Sequence, residues 1–577
     1  MLKLTRFLRN YKKEVILGPL FKLFEAIFEI IVPLVMAKIV DVGIKNNDKS
    51  YILQMGGLII LLGICGLIFA LVAQYYAAKC GVGFGTELRK SLYKHINSLS
   101  YAEIDKFGTS SLITRMINDT TTVQTGVNMV VRLAIRAPFL IIAATIMAMI
   151  LDLKLSVVFL IAAPVITLVL YLIMSKSIRM YRAIQKKLDN VSLLTRENLE
   201  GVRVIRAFSK QNEEINEYNK ASEDVSRSSI LVGKISSILN PATYAVMNLA
   251  IVAVLWFGGM RVDTGSLTQG QIIAFVNYLT QISFALIALA NLVIIFTRAE
   301  ASSNRINEVF EVNSKISDGD NNLEHMENVP IIEFKNVSFS YGDEGESAIE
   351  GISFQLYKGE MLGIIGGTGS GKSTVANLIG RFYEVTQGEV MLYGRNVKDY
   401  NLDSLRKSIG IVPQKSVLFS GTIIENMRWA NPNATETEVI NALKIAQAWE
   451  FINKLENGIY SEISQGGKNF SGGQKQRITI ARALIGEPPI LILDDSMSAL
   501  DYATDFALRK AINEKLGDST LIMISQRSTS IKNADKIMVL EDGEIAGTGT
   551  HDELYESCEI YKEICDTQGE VKNEKSS

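Results

Sequence analysis

Apolar residues crowd into the first 300 positions of the chain, in six runs at about 15–42, 52–78, 131–151, 155–174, 236–259 and 272–297. Each run approaches the roughly 20 residues that a helix needs to cross a bilayer, so the pattern predicts six membrane-spanning helices. The second and fourth runs continue into helix-compatible stretches, residues 78–99 and 175–208, that carry too much charge to lie in lipid. These stretches are expected to project from the membrane as helical extensions. Later in the chain the apolar runs shorten to strand length, at residues 361–365 and 490–493. Short apolar runs of this kind suit parallel strands buried on both faces.

Basic residues at the span ends give the orientation. Lys3, Arg6, Arg9, Lys12 and Lys13 precede the first run. Arg89, Lys90, Lys94 and Arg115 lie between the second and third, and Lys176, Arg179, Arg182, Lys186 and Lys187 follow the fourth. Positive charge favours the cytoplasmic side, which places the N-terminus inside and returns the chain to the cytoplasm after six spans. The loop Asp152-Leu153-Lys154 leaves no room for an external domain between spans three and four. The basic start and the missing small-residue cleavage site predict an interfacial helix followed by a permanent anchor, in a multi-pass protein of the cell (inner) membrane.

Composition agrees with a membrane protein of more than one domain: 577 residues, 48% hydrophobic, with a mean hydropathy of +0.19. A net charge of −2 provides no basic field for nucleic acid, which is not expected as a partner. Cys65, Cys80, Cys558 and Cys565 have no metal-ligand spacing, and no disulfide is expected of them. His95, His325 and His551 are scattered and form no metal pair; His551 is expected to be structural.

The run at 361–365 leads into Gly366-Gly367-Thr368-Gly369-Ser370-Gly371-Lys372-Ser373-Thr374, a phosphate-binding loop opening a helix. Its glycines let backbone N–H groups turn toward phosphates, Lys372 offers a cation to the β- and γ-phosphates of ATP, and Ser373 offers a hydroxyl to Mg²⁺. The run at 490–493 ends in Asp494-Asp495, which delivers a metal-binding Asp494 to a strand's C-terminal edge. Between them, Ser471-Gly472-Gly473-Gln474 opens a helix whose N-terminus could receive an anionic phosphate. Alone, such a Ser-Gly-Gly run is only a turn.

In this order and spacing the motifs resemble the ATP-binding cassette (ABC) family, over residues 330–560. The resemblance implies that Tyr341 stacks on adenine, that Gln414 senses Mg²⁺ and contacts the membrane domain, and that Ser498 to Asp501 spans a dimer interface. The stretch from Glu197 to Phe208 and the six spans resemble the family's exporter-type (type IV) membrane domain, with coupling helices expected near Tyr101–Phe107 and residues 212–218. The fold class that follows is multidomain: an all-α six-span transmembrane domain (1–310), a linker (311–329), an α/β P-loop nucleotide-binding domain (330–560) and a C-terminal tail (561–577). From Gln568 onward the tail is charged and expected to be disordered.

Three positions depart from the family pattern. Asp495 stands where the family usually has a catalytic glutamate, Gln526 where it has a switch histidine, and Gln465 where its cross-linking loop carries a glutamate. A carboxylate one methylene short is expected to orient the attacking water poorly, a loss of roughly 10²- to 10⁴-fold. Gln526 cannot take up and return a proton as imidazole does. The catalytic pair Asp495 and Gln526 is thus expected to hydrolyse ATP slowly, while the intact Ser471 motif serves a partner chain.

Charged groups in spans are costly and are functional candidates. Lys22, Glu25 and Glu29 share a face of span one, and Arg132 and Arg136 lie one turn apart in span three. They could line a polar cavity, although Lys22 can pair with Glu25 and the arginines can snorkel. Asn240, Tyr244, Asn248, Asn277, Tyr278 and Gln281 form a further polar face, equally suited to helix-to-helix hydrogen bonds.

Together these features predict the degenerate-site subunit of a bacterial heterodimeric ABC exporter. Its partners would be a second half-transporter, the lipid bilayer and an amphipathic small-molecule or lipid substrate, with peptides as a further cargo class. A slow homodimeric exporter and an ATP-gated channel or regulatory membrane protein are the alternatives.

Overall fold

The computed structural model describes residues 1–568 apart from 325, 327, 343, 344 and 516–518. His325 and everything after Gln568 therefore lie outside the described residues. The chain divides into two compact units, Met1–Asn97 with Thr109–Val312, and Ser98–Gly108 with Asn313–Ser577.

The first unit is helical: α1 (Lys12–Lys38), α2 (Lys49–Asn97), α4 (Thr109–Thr114), α5 (Thr120–Leu133), α6 (Arg136–Leu151), α7 (Val157–Glu200), α8 (Val202–Ala207), α9 (Gln211–Ser237), α10 (Leu239–Asp263) and α11 (Gln269–Glu311). The intervening α3 (Tyr101–Phe107) belongs to the second unit. Among the described residues five stretches are long and apolar enough to cross a membrane: Lys49–Asn97, Thr109–Leu151, Val157–Glu200, Gln211–Asp263 and Gln269–Glu311. At 1.5 Å per residue α2 is about 70 Å long, more than twice a bilayer's hydrocarbon core, so its polar half must extend beyond it.

The first expected span, α1, is helical over 27 residues but is not among those five. Lys22, Glu25 and Glu29 dilute its apolar character, and the fold pairs them. Lys22 bonds Glu25, and Arg136 of α6 reaches Glu29 at 2.7 Å and Glu25 at 3.7 Å. The third span is interrupted by a turn at Ala134 and Ile135. Pro138 explains the break, because it has no N–H to offer the Ala134 carbonyl four residues back. The extension expected over 175–208 breaks at Gly201, where α7 gives way to α8.

Small residues set the helix crossings. A Cβ added to Gly126 of α5 would stand 2.4 Å from the Ala299 Cβ of α11, so the two backbones approach as only a glycine permits. Ala26, Ala144, Phe159, Val254, Phe275 and Ile282 fill the core of this unit. The polar face foreseen on spans five and six is partly spent on packing. Tyr278 is fully buried and donates to the Ile30 carbonyl at 2.9 Å, and Gln281 donates to the Glu29 carbonyl at 3.1 Å.

In the second unit an antiparallel sheet runs β2-β1-β4-β5, from β1 (Ile332–Ser340), β2 (Ser347–Leu356), β4 (Gln387–Leu392) and β5 (Arg395–Asn396). The larger sheet has the order β12-β11-β3-β10-β9-β6, from β3 (Met361–Gly366), β6 (Ile409–Val412), β9 (Ile490–Asp494), β10 (Thr520–Ile524), β11 (Lys536–Glu541) and β12 (Glu544–Gly549). Its strands are parallel except for the β11–β12 pair, and β9 and β10 are buried at every residue. A short pair, β7 (Gly421–Thr422) and β8 (Glu462–Ile463), stands apart.

Helix α12 (Lys372–Ile379) follows β3, and α13 (Leu402–Lys407) precedes β6. A helical lobe of α14 (Ile423–Met427), α15 (Glu436–Ile445), α16 (Trp449–Ile452) and α17 (Gly472–Leu484) separates β6 from β9. The chain closes through α18 (Tyr502–Lys515), α19 (Ser528–Ile531), α20 (His551–Ser557) and α21 (Glu559–Thr567). Tyr561 and Cys565 of α21 are fully buried. The expectation of disorder from Gln568 onward fails at its first residue, because α21 docks its apolar face in the core and carries Gln568 with it. His551 has the structural part expected of it, its Nδ1 lying 2.9 Å from the Tyr561 hydroxyl.

Candidate functional site

Strand register gathers the chemistry. β10 lies between β3 and β9, with Ile524 level with Ile364 on one side and Asp494 on the other. The residues after those three positions, the phosphate loop, Gln526 and Asp495, therefore emerge at one C-terminal sheet edge, the place where open α/β sheets bind ligands.

The loop between β3 and α12 needs its glycines. Gly371 has φ 92°, and a Cβ there would lie 2.6 Å from the Ala348 carbonyl oxygen. A Cβ on Gly366 would come within 2.0 Å of the Leu540 carbonyl oxygen. Lys372 is buried and folds its ammonium back over the loop, donating to the Gly366 carbonyl at 3.0 Å, to the Gly367 carbonyl and to Ser370 Oγ at 3.2 Å. Burial pushes its pKa below the ordinary lysine range, against the pull of Asp495 and Asp494. These weak neutral acceptors are what an anionic phosphate would replace. The loop's other polar groups follow suit: Ser370 Oγ donates to the Gly367 carbonyl at 3.0 Å, and Thr374 Oγ1 lies 3.0 Å from the Tyr341 hydroxyl.

Ser373 Oγ donates to Asp494 Oδ1 at 3.0 Å, so two hard oxygens from distant segments meet beside the loop. That donor set fits Mg²⁺. Asp494 is buried, and burial raises its pKa despite the Ser373 hydrogen bond. Asp495 follows in a left-handed conformation, φ 43°, held by its N–H to the Ile524 carbonyl at 2.9 Å. Its carboxylate accepts from Gln414 Nε2 at 3.5 Å, and burial raises its pKa as well. Gln526 is exposed at the end of β10. The structure thus brings Lys372, Ser373, Gln414, Asp494, Asp495 and Gln526 to one edge.

Ser471 and Gln474 stand elsewhere in the unit. They form a capping box at the start of α17, Ser471 N–H donating to Gln474 Oε1 at 2.9 Å. An added Cβ on Gly472 meets nothing within 4 Å, whereas one on Gly473 would lie 3.1 Å from the Ala499 carbonyl oxygen. The helix start is open on one side and set against the Ser498–Asp501 segment on the other. Gln465 begins a turn in which Gly466 and Gly467 both have positive φ.

Tyr341 is exposed and packs edge-on against Phe339 and Tyr383. Tyr383 and Phe382 were not foreseen from the sequence. Tyr101 of α3 stacks on Phe382 with ring centroids 4.9 Å apart, and the Tyr383 hydroxyl donates to Asp105 of α3 at 2.6 Å. Burial, reinforced by that carboxylate, pushes the Tyr383 phenol well above its usual range. The coupling helix expected at Tyr101–Phe107 is therefore seated on an aromatic cluster that also carries Tyr341. The residues expected for a second one, 212–218, lie at the start of α9, where Ile215 and Tyr218 are exposed together with Val204 and Phe208 of α8 and its end.

In the membrane unit, Glu25, Glu29 and Arg136 line a cavity of about 380 Å³ with Phe28 and with Gly63 and Gly66 of α2. Arg132 lies in the last turn of α5 with its Nε buried and without a hydrogen-bond partner. Asn277 turns to its own helix, donating to the Ile273 carbonyl at 2.9 Å.

A phosphate loop, a Ser–Asp oxygen pair and a capped Ser-Gly-Gly helix on one cassette, carried by a multi-span helical domain, define a membrane transport ATPase. The chain belongs to the ABC transporter family. Residues 15–286 match the ABC transporter transmembrane region, and residues 349–498 match the ABC transporter domain. It is 37% identical over 571 residues to the uncharacterised ABC transporter ATP-binding protein YfiB of Bacillus subtilis, covering 98% of each chain. It is 34% identical to the uncharacterised ABC transporter ATP-binding protein Rv1273c of Mycobacterium tuberculosis, covering 98% of this chain and 97% of that one. Its fold is that of a bacterial Atm1-family ABC exporter with ATP bound, with a TM-score of 0.81, 24% identity and coverage of 97% and 98%.

Proposed function

We propose that this chain is one half of a heterodimeric ABC exporter of a bacterial cell (inner) membrane, with its cassette in the cytoplasm and its own ATP site impaired in hydrolysis. The observation that carries the reading is the pair at the ends of β9 and β10: a carboxylate one methylene short at Asp495 and a neutral amide at Gln526. Lys372 and the loop N–H groups would hold the phosphates, with Tyr341 under the adenine. Ser373 and Asp494 would hold Mg²⁺, with Gln414 beside them. The ion would neutralise the phosphate oxygens. Asp495, tethered toward Gln414, would have to polarise the attacking water, and its side chain ends about 1.5 Å short of a glutamate's reach. Gln526 can donate to or accept from a phosphate oxygen but shuttles no proton.

The capped Ser471 motif supports a role on the partner's ATP, where the partner would supply glutamate and histidine. The exposed apolar side chains of Val204, Phe208, Ile215 and Tyr218, on either side of the α8–α9 connection, suit cover by a second chain. Binding of two ATP molecules would close the cassettes, and hydrolysis at the partner's site would reset them. The cavity at Glu25, Glu29, Arg136 and Phe28, polar on one wall and apolar on the other, suits an amphipathic small molecule or lipid.

The test is ATPase activity of the chain purified alone, with its companion half-transporter, and with a companion lacking its catalytic glutamate. Turnover only in the pair, lost with that glutamate, is expected. Vigorous turnover by this chain alone would refute the reading and favour a homodimer.

A further inference from the structure

α21 ends at Thr567, and the side chain of the next residue, Gln568, reaches the turn that follows β10. Its Oε1 accepts from the Ser528 N–H at 2.9 Å and from Ser528 Oγ at 3.0 Å, while its Nε2 donates to the Gln526 carbonyl at 2.8 Å. Ser528 is fully buried, so its two donors are cut off from water and Gln568 satisfies both. The base beneath Gln568 is firm, because Tyr561 and Cys565 of the same helix are fully buried. From the other side Arg527 N–H donates to Ser525 Oγ at 2.9 Å, and Arg527 Nη2 to the Ser498 carbonyl at 3.1 Å. The turn is therefore gripped at Gln526, Arg527 and Ser528, which sets where the exposed Gln526 side chain can go.

We infer that Gln568 is a positioning residue for the ATP site. Through the Gln526 carbonyl and the Ser528 N–H and hydroxyl it holds the Gln526 amide at the sheet edge shared by the phosphate loop and Asp495, where the terminal phosphate of ATP would lie. The inference rests on the assignment of that edge as the nucleotide site. An imidazole could act there by charge, but a neutral amide acts only by being in place, so its support matters more. A positioning role of this kind touches ATP and spares ADP, which has no terminal phosphate.

The experiment measures the affinities of the purified full-length chain for MgATP and MgADP. Gln568→Ala is expected to weaken MgATP about fivefold, near the worth of one hydrogen bond, and to leave MgADP within about twofold. In a Gln526→Ala background, Gln568→Ala is expected to add nothing. A chain ending after Gln568 should discriminate like the parent, and one ending after Thr567 like Gln568→Ala. Gln568→Glu keeps the acceptor for Ser528 and loses the donor to Gln526, which makes it the variant least prone to misfolding; an intermediate loss for MgATP is expected. An unchanged ATP-to-ADP ratio, an equal loss for both nucleotides, or a loss undiminished without Gln526 overturns the inference. Lys372→Ala separates the two failures: MgATP binding that survives it means that the nucleotide site itself is misassigned.

Discussion

Asp494 and Asp495 place two carboxylates side by side at the buried end of β9, and burial raises the pKa of each above the usual carboxylate range. A folded-state pKa raised above the unfolded one means that the folded chain holds its proton more tightly. The associated stability is fully present below the unfolded pKa and is lost as pH rises through the folded value. At neutral pH the nucleotide-free chain therefore carries a cost that Asp494→Asn removes. Thermal unfolding without nucleotide should show Asp494→Asn above the parent at pH 7, with the difference shrinking toward pH 4. MgATP should stabilise the parent and not the variant. The meeting of Lys372, Ser373 and Asp494 at one sheet edge was legible in the sequence, because a glycine loop after one apolar strand and carboxylates at the end of another mark their positions locally. Tyr383 and Gln568 were not, because Tyr383 meets Asp105 across 278 residues and Gln568 meets Gln526 across 42.

Helices of the membrane unit are fixed by glycine approaches and a few polar ties. At the start of α11, Gly270 N–H and Thr268 Oγ1 both donate to the Asp41 carboxylate, at 2.8 and 2.6 Å. A Cβ on Gly270 would lie 2.2 Å from the Ala37 carbonyl oxygen. Gly270→Val should drive these elements apart at a cost of about 1–3 kcal/mol, read as a lower thermal midpoint in detergent. Thr268→Ala, which removes an N-cap and one donor to Asp41, should cost about 1 kcal/mol. Hydropathy foresaw the long spans and their extensions, and the charge-bearing α1 marks its limit. Whether Glu29 belongs in a span depends on Arg136, which is 107 residues away and invisible to any local window. The break at Ala134, by contrast, has a local signal in Pro138. The short helix Tyr101–Phe107 was placed by resemblance, but the aromatic seat formed by Phe382 and Tyr383 emerges only from the fold.

Across the molecule, the chain leaves its helical unit after Asn97, contributes Ser98–Gly108 to the cassette unit and returns at Thr109 before crossing over for good after Val312. The covalent path itself thus ties a segment between spans two and three to the unit that holds the phosphate loop. The division into a helical membrane unit and an α/β cassette was legible from the change in pattern. The asymmetry proposed between phosphate grip and trigger rests on two single residues, Asp495 and Gln526, that stand out in the sequence alone. The central claim is that Asp495 and Gln526 limit this site, and it is tested most directly by restoring the missing groups. ATP turnover should be measured in Asp495→Glu/Gln526→His, assembled with a companion that lacks its own catalytic glutamate, so that only this site reports. A rise of about 10²-fold or more over the same assembly without the two substitutions is predicted. Turnover unchanged by both substitutions, or already vigorous without them, would contradict the claim.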